Sequence, residues 1–153
     1  MTIDPAAVAA GLLQAVPFAR TIGTTFTEIS ADGDGVRVTA HLPDDASVHN
    51  HVGGPHAGAM FTLGETASGA VVLAVFADQL ATTVPLAVRA EIAYLKLAMG
   101  PVRATATLGR PAADVLTELG QGIRPEFPVD IELSTLDGTA TGRMTVIWTL
   151  RRS

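Results

Sequence analysis

The sequence has no cysteine among its 153 residues. That excludes a disulfide, a thiolate nucleophile and a cysteine-ligated metal. Lysine is nearly missing too, Lys96 being the single example, and the net charge is −5. With no basic run to meet a phosphate backbone, nucleic-acid binding is not expected. Charged residues make up only 16% of the chain, low for a monomer of this size, and that points to surface buried in an oligomer. The opening stretch, MTIDPAAVAAGLLQAVPFAR, lacks the basic segment of a signal peptide and carries Asp4 instead. The longest apolar run, around 66–77, is interrupted by Thr, Ser and Gly and is too short to span a bilayer. The expectation is a soluble cytoplasmic protein with no membrane partner.

What is present suits one folded domain over residues 1–153. Hydrophobic residues are 48% of the chain, enough for a single substantial core. Asp4-Pro5 is a helix start, an acidic N-cap followed by proline at the first helical position, and the spacing predicts a helix over about 4–16 that Pro17 stops. Residues 21–30 and 36–42 read as strands joined by a turn at 31–35. After a polar loop, a long apolar helix is expected over about 56–77. Then comes a strand over 85–97, with Leu86, Val88, Ala90, Ile92 and Tyr94 on one face and Ala87, Arg89, Glu91 and Ala93 on the other. Val102, Ala104, Ala106 and Leu108 alternate with polar residues as another strand. A short helix is expected over 112–119. A final hairpin turns at Asp137-Gly138, its last strand setting Met144, Val146, Trp148 and Leu150 against Arg143, Thr145, Ile147 and Thr149. One long apolar helix flanked by five or six strands implies an α+β fold, an antiparallel sheet wrapped around that helix.

The stretch HNHVGGPHAGAMFTLGETASGAVVLAVF, residues 49–76, is where chemistry concentrates. It opens as a Gly- and Pro-bearing loop holding His49, Asn50 and His51, and turns helical at His56. A single charge, Glu65, interrupts the apolar run, with no Lys or Arg nearby in sequence. An unpaired buried carboxylate is costly, so it has a partner, is protonated, or has work to do. Gly58, Gly64 and Gly69 each cost about 1 kcal/mol of helix propensity, which points to close approach of another backbone or a ligand.

The pattern Asn50…His56-Ala57-Gly58…Leu63-Gly64-Glu65, with this strand order, resembles the hotdog-fold acyl-CoA thioesterases of the phenylacetic-acid-degradation type. It is closer still to a thioesterase-related branch of that superfamily of unknown function. The resemblance implies a homodimer, often paired into a homotetramer, with sites at the subunit interface and an acyl-CoA substrate. It makes Glu65 the carboxylate that activates water or attacks the thioester. The backbone N–H of Ala57 or Gly58 becomes the oxyanion donor, helped by the helix N-terminus. Asn50 would orient water or substrate, and His56 would hold the turn or bond the acyl group. Substrate contacts fall to Ala57, Gly58, Thr66 and His51, with no cofactor and no metal. Two departures stand out: Ala57 replaces the family's middle glycine, and Ala87 replaces a Ser or Thr seven residues before Tyr94.

Each residue also has a plainer reading. Glu65 would be structural if paired with Arg89, His56 would cap the helix, and Asn50 would stabilise its own turn. His49, His51 and His56 lack the tight ligand set of a zinc site. Besides thioester hydrolysis, two other functions fit: a hydroxyacyl-thioester dehydratase using His51 and Glu65, and a non-catalytic acyl or acyl-CoA binding protein, which Ala57 and Ala87 motivate.

Overall fold

The computed structural model describes residues 2–33 and 35–153. Met1 and Asp34 lie outside the described residues, so the expected turn at 31–35 is described only at its flanks. The Asp4 carboxylate caps the first helix, α1 (Pro5–Ala15), by accepting from the backbone N–H groups of Ala6 and Ala7. Pro17 does more than stop that helix. Its fixed φ also suits a first helical turn, and a short second helix, α2 (Pro17–Thr21), starts on it. The expected strand over 21–30 is accordingly displaced to β1 (Thr25–Asp32).

The remaining elements are β2 (Gly35–Leu42), α3 (Ala57–Val75), β3 (Thr83–Tyr94), β4 (Val102–Leu108), α4 (Ala112–Gly120), β5 (Glu126–Thr135) and β6 (Ala140–Arg152). The strands form one six-stranded sheet in the order β1-β2-β4-β5-β6-β3, and every pairing is antiparallel. This is the helix-in-sheet architecture expected of a hotdog fold. In register across the sheet, Val38 faces Ala106, Ala106 faces Ile131, and Ile131 faces Met144. A second row joins Ala40, Ala104, Leu133 and Gly142. The small residues of these rows leave a trough in which α3 lies. That helix is also long and apolar enough to cross a membrane by length and composition alone, but here it is the core element, with Leu63, Ala67, Ala70 and Val71 fully buried.

Two glycines of α3 differ in what they face. A Cβ on Gly64 would sit 2.6 Å from Met144 Sδ, so helix and sheet approach closely here. A Cβ on Gly69 would make ordinary contacts with Leu12 of α1 and the Trp148 indole, at 3.5 and 3.7 Å. α1 thus covers the side of α3 that the sheet leaves open.

β3 departs from the sequence expectation. Its register against β6 slips between Ala87 and Arg89, so Ala87 opposes Trp148 while Ala90 opposes Val146 and Ile92 opposes Met144. Val88 is the extra residue of a bulge, and a bulge flips the alternation beyond it. Ala87 therefore shares the inner face with Ala90 and Ile92, and Leu86, opposite Thr149, lies on the outer one. β3 is also a sheet edge bonded only to β6, and Val84, Leu86, Val88 and Tyr94 along it are exposed.

Substituting alanine at the two glycines separates packing from propensity. Gly69→Ala is expected to stabilise the fold by up to about 1 kcal/mol, the intrinsic helix gain. Gly64→Ala makes the same gain but overpacks against Met144 and is expected to be net destabilising by about 1–2 kcal/mol. Urea unfolding midpoints check both, and a more stable Gly64→Ala variant would contradict the close approach.

Candidate active site

The loop entering α3 is built around Asn50. Its Oδ1 accepts from the N–H groups of Val52 and Gly54, and its Nδ2 donates to the Pro55 carbonyl at 3.3 Å. The Asn50 N–H donates to the Gly54 carbonyl at 2.7 Å, and His49 and Pro55 bridge across the loop's base. Both acceptor positions of the side-chain oxygen are spent, leaving one Nδ2 hydrogen. Asn50 is thus doing the turn-holding job of the plainer reading. Gly54 has no side chain because a Cβ there would lie 2.6 Å from the Ala98 carbonyl oxygen. The loop is pressed against the segment that follows β3.

His56 is the N-cap of α3. Its Nδ1 accepts from the Gly58 N–H at 2.8 Å. A ring nitrogen that accepts carries no proton, so the neutral ring must hold its hydrogen on Nε2. The cap treats the two backbone N–H groups differently. The Gly58 N–H is committed to His56, whereas the Ala57 N–H has no protein acceptor among the described residues. His49 binds Asp44 at 2.6 Å, and His51 is exposed. Among the described residues no three metal-ligating side chains come together.

Glu65 lies two turns into α3, half-buried, and desolvation raises its carboxyl above the ordinary glutamate range. No ion pair among the described residues involves it. Arg89, the suspected partner, opposes Ile147 on the outer face of the sheet, away from the helix. Eight residues separate Ala57 from Glu65, about 12 Å of helix rise. A helical side chain leans back toward the N-terminus, which shortens that separation. Thr66 is buried, its hydroxyl without a hydrogen-bond partner among the described residues.

Two contacts that the sequence reading missed fix this side of the helix. The Tyr94 hydroxyl donates to the Ala57 carbonyl at 2.8 Å, joining the end of β3 to the first residue of α3. The Trp148 indole N–H donates to Ser68 Oγ at 2.9 Å, and the Ser68 hydroxyl donates to the Glu65 carbonyl at 2.7 Å. The only hints in sequence are that Tyr94 and Trp148 are the sole residues of their kinds and that each ring carries a donor needing an acceptor when buried.

The family described as Domain of unknown function (DUF4442) matches residues 5–150 of this sequence. The chain belongs to that family. Solved structures share its fold at low identity. One is a protein of unknown function from Pseudomonas aeruginosa, named a probable thioesterase, with a TM-score of 0.83, 22% identity and coverage of 100% of this chain and 99% of that one. A thioesterase family protein from Silicibacter pomeroyi aligns with a TM-score of 0.74 at 18% identity, covering 97% and 98%. A variant of a Pseudomonas aeruginosa thioesterase aligns with a TM-score of 0.76 at 22% identity, covering 100% and 97%. None of the curated proteins compared with the sequence matches it. The hotdog fold expected for this DUF4442 chain is therefore its fold.

In this DUF4442 chain, Asn50, His56, Ala57 and Gly58 gather at one end of α3, with Glu65 two turns along. A hollow of about 620 Å³ lies beside Val75 at the opposite end of α3 and is lined by none of them.

The burial of Glu65 has a sign. An acid whose folded-state pKa is raised binds its proton more tightly folded than unfolded, so stability falls as pH rises from the ordinary glutamate value through the raised one. Glu65→Gln removes that loss. The variant is expected to melt higher than wild type at pH 7–8, with the difference closing once pH drops below about 4. Thermal melts across pH check it, and a variant less stable than wild type at neutral pH would mean that Glu65 has a stabilising partner.

Proposed function

We propose that this protein hydrolyses an acyl thioester. The observation that carries the reading is Glu65, a half-buried carboxylate without a counter-charge among the described residues, on the helix whose first N–H, at Ala57, has no protein acceptor. Hydrolysis needs a base, a water and a donor for the developing oxyanion. Glu65 takes the proton of a water or attacks the carbonyl itself, and the Ala57 N–H, at the positive end of α3, receives the oxyanion. His56 keeps the helix start in shape through its cap and presents Nε2–H to the open side. The solved structures of the same fold that carry a thioesterase name support the reaction class.

The open edge at β3 supports a dimer. An exposed apolar edge strand is a template for pairing with a second chain, and the inner-face residues Ala87 and Ala90 beside it are exposed in one protomer. A partner seated there closes the side of α3 that bears Glu65 and makes the site interfacial. Ala87 favours a second reading, an acyl-CoA binder without turnover, because it sets a methyl group opposite Trp148 where the catalytic relatives' pattern has a hydroxyl.

Free-thiol release from a panel of short, long and aromatic acyl-CoAs separates the two. Wild type is expected to turn over at least one, and Glu65→Gln to lose about a hundredfold or more in kcat while staying folded. Binding without turnover, unaffected by Glu65→Gln, would replace hydrolysis with the binding reading. Val88→Lys, a charge at the centre of the exposed edge, is expected to shift the sedimenting species from dimer to monomer and to abolish turnover together. A fully active monomer would contradict the interfacial site.

A further inference from the structure

A recess of about 350 Å³ opens beside the N-terminus of α3, lined by Asn50, Pro55, Met60, Tyr94, Lys96 and Leu97 among others. Its walls alternate apolar and hydrogen-bonding groups. Leu97 is 70% exposed, the most exposed of the large hydrophobic residues described. An apolar side chain held at the rim of a recess invites a ligand that is itself part apolar.

Lys96 stands on that rim. It is the chain's only lysine, and no ion pair among the described residues involves it. Its position is fixed on both sides. Its own N–H donates to the Thr141 carbonyl at 3.2 Å. Tyr94, two residues earlier, is tied to the Ala57 carbonyl. The rim is thereby held at a set distance from the Ala57 N–H. Arg143, by contrast, faces Glu132 across the β5–β6 ladder. The protein as a whole is negative, so an anionic ligand approaches against the overall field. An uncompensated cation at the mouth of the recess reverses that field locally.

We infer that the recess takes the pantetheine arm of the thioester and that Lys96 binds the phosphate at its far end. This rests on the thioester reading above. Pantetheine combines methyl-bearing and amide segments, which suit walls made of Met60, Leu97, Pro55 and Asn50. The phosphate lies beyond them, in the solvent where the ammonium is exposed. Both coenzyme A and a carrier protein's prosthetic group present this chemistry, and Lys96 acts as a specificity residue for the phosphorylated carrier.

Calorimetric binding of pantetheine, 4′-phosphopantetheine and coenzyme A to wild type, Lys96→Ala and Lys96→Arg tests it without requiring turnover. Wild type is expected to bind 4′-phosphopantetheine about three- to tenfold more tightly than pantetheine, the range of a partly exposed charge-assisted contact. Lys96→Ala should erase that gain and leave pantetheine affinity unchanged, and Lys96→Arg should retain it. A gain seen with coenzyme A alone, and lost in Lys96→Ala, would support the site and assign the phosphates of the nucleotide end, favouring free coenzyme A. Equal affinity for the three probes, binding of none of them, or a gain that survives Lys96→Ala would overturn the inference. So would an equal loss of pantetheine affinity in Lys96→Ala. A wild type that binds in this way yet releases no thiol would sink the hydrolysis reading and leave the phosphate site standing.

Discussion

Packing one nineteen-residue apolar helix against a single sheet constrains the rest of this molecule. A sheet covers only one side of a helix, and burying α3 demands a trough of small residues below it and a lid above. Ala40, Ala104 and Ala106 make the trough, Gly64 lets the helix sink onto Met144, and α1 supplies the lid through Leu12. Apolar burial at about 25 cal/mol per Å² drives the arrangement, and the alternating strands β2, β4, β5 and β6 meet it with one apolar face each. Against that background a carboxylate inside the same helix is an exception. Burial raises its proton affinity, and no ion pair among the described residues offsets the cost.

The same constraint shapes the site's surroundings. Because α3 must begin where the sheet ends, its N-terminus emerges beside a loop that has no sheet to bond with. Asn50 substitutes for the missing ladder with bonds to Val52, Gly54 and Pro55, and His56 satisfies one of the helix's orphan N–H groups. The Ala57 N–H is among those left without a protein acceptor among the described residues. On the other flank the trough runs past β6 onto β3, where Ala87 and Ala90 are too small to fill it.

Much of this was legible in the residues. Asp4-Pro5 announced the first helix, Asp137-Gly138 the last hairpin, and Val36, Val38, Ala40 and Leu42 the inner face of β2, because each rests on a local rule of capping, turn or period. Glu65 stood out as a charge in an apolar run. Other features depend on partners distant in sequence. The bulge at Val88 is defined by its pairing with β6, some sixty residues on, so simple alternation put Leu86 and Ala87 on the wrong faces. The Tyr94–Ala57 and Trp148–Ser68 bonds join positions 37 and 80 residues apart, beyond any spacing rule. That the Gly58 N–H is capped turns on the direction of one imidazole, which sequence does not encode. Pro17 is both a stop and a start, since the same fixed φ serves both.

Glu65 is a half-buried carboxylate with no cation paired to it among the described residues. Carbon-13 NMR titration of the Glu65 side-chain carboxyl, assigned by comparison with Glu65→Gln, measures that directly. The expected midpoint lies above the ordinary glutamate value of about 4.3, separated from the exposed glutamates of the same spectrum. A midpoint at or below that value would mean that a cation or a set of hydrogen bonds stabilises the charge. Glu65 would then be a structural carboxylate, and the site would have to be sought elsewhere.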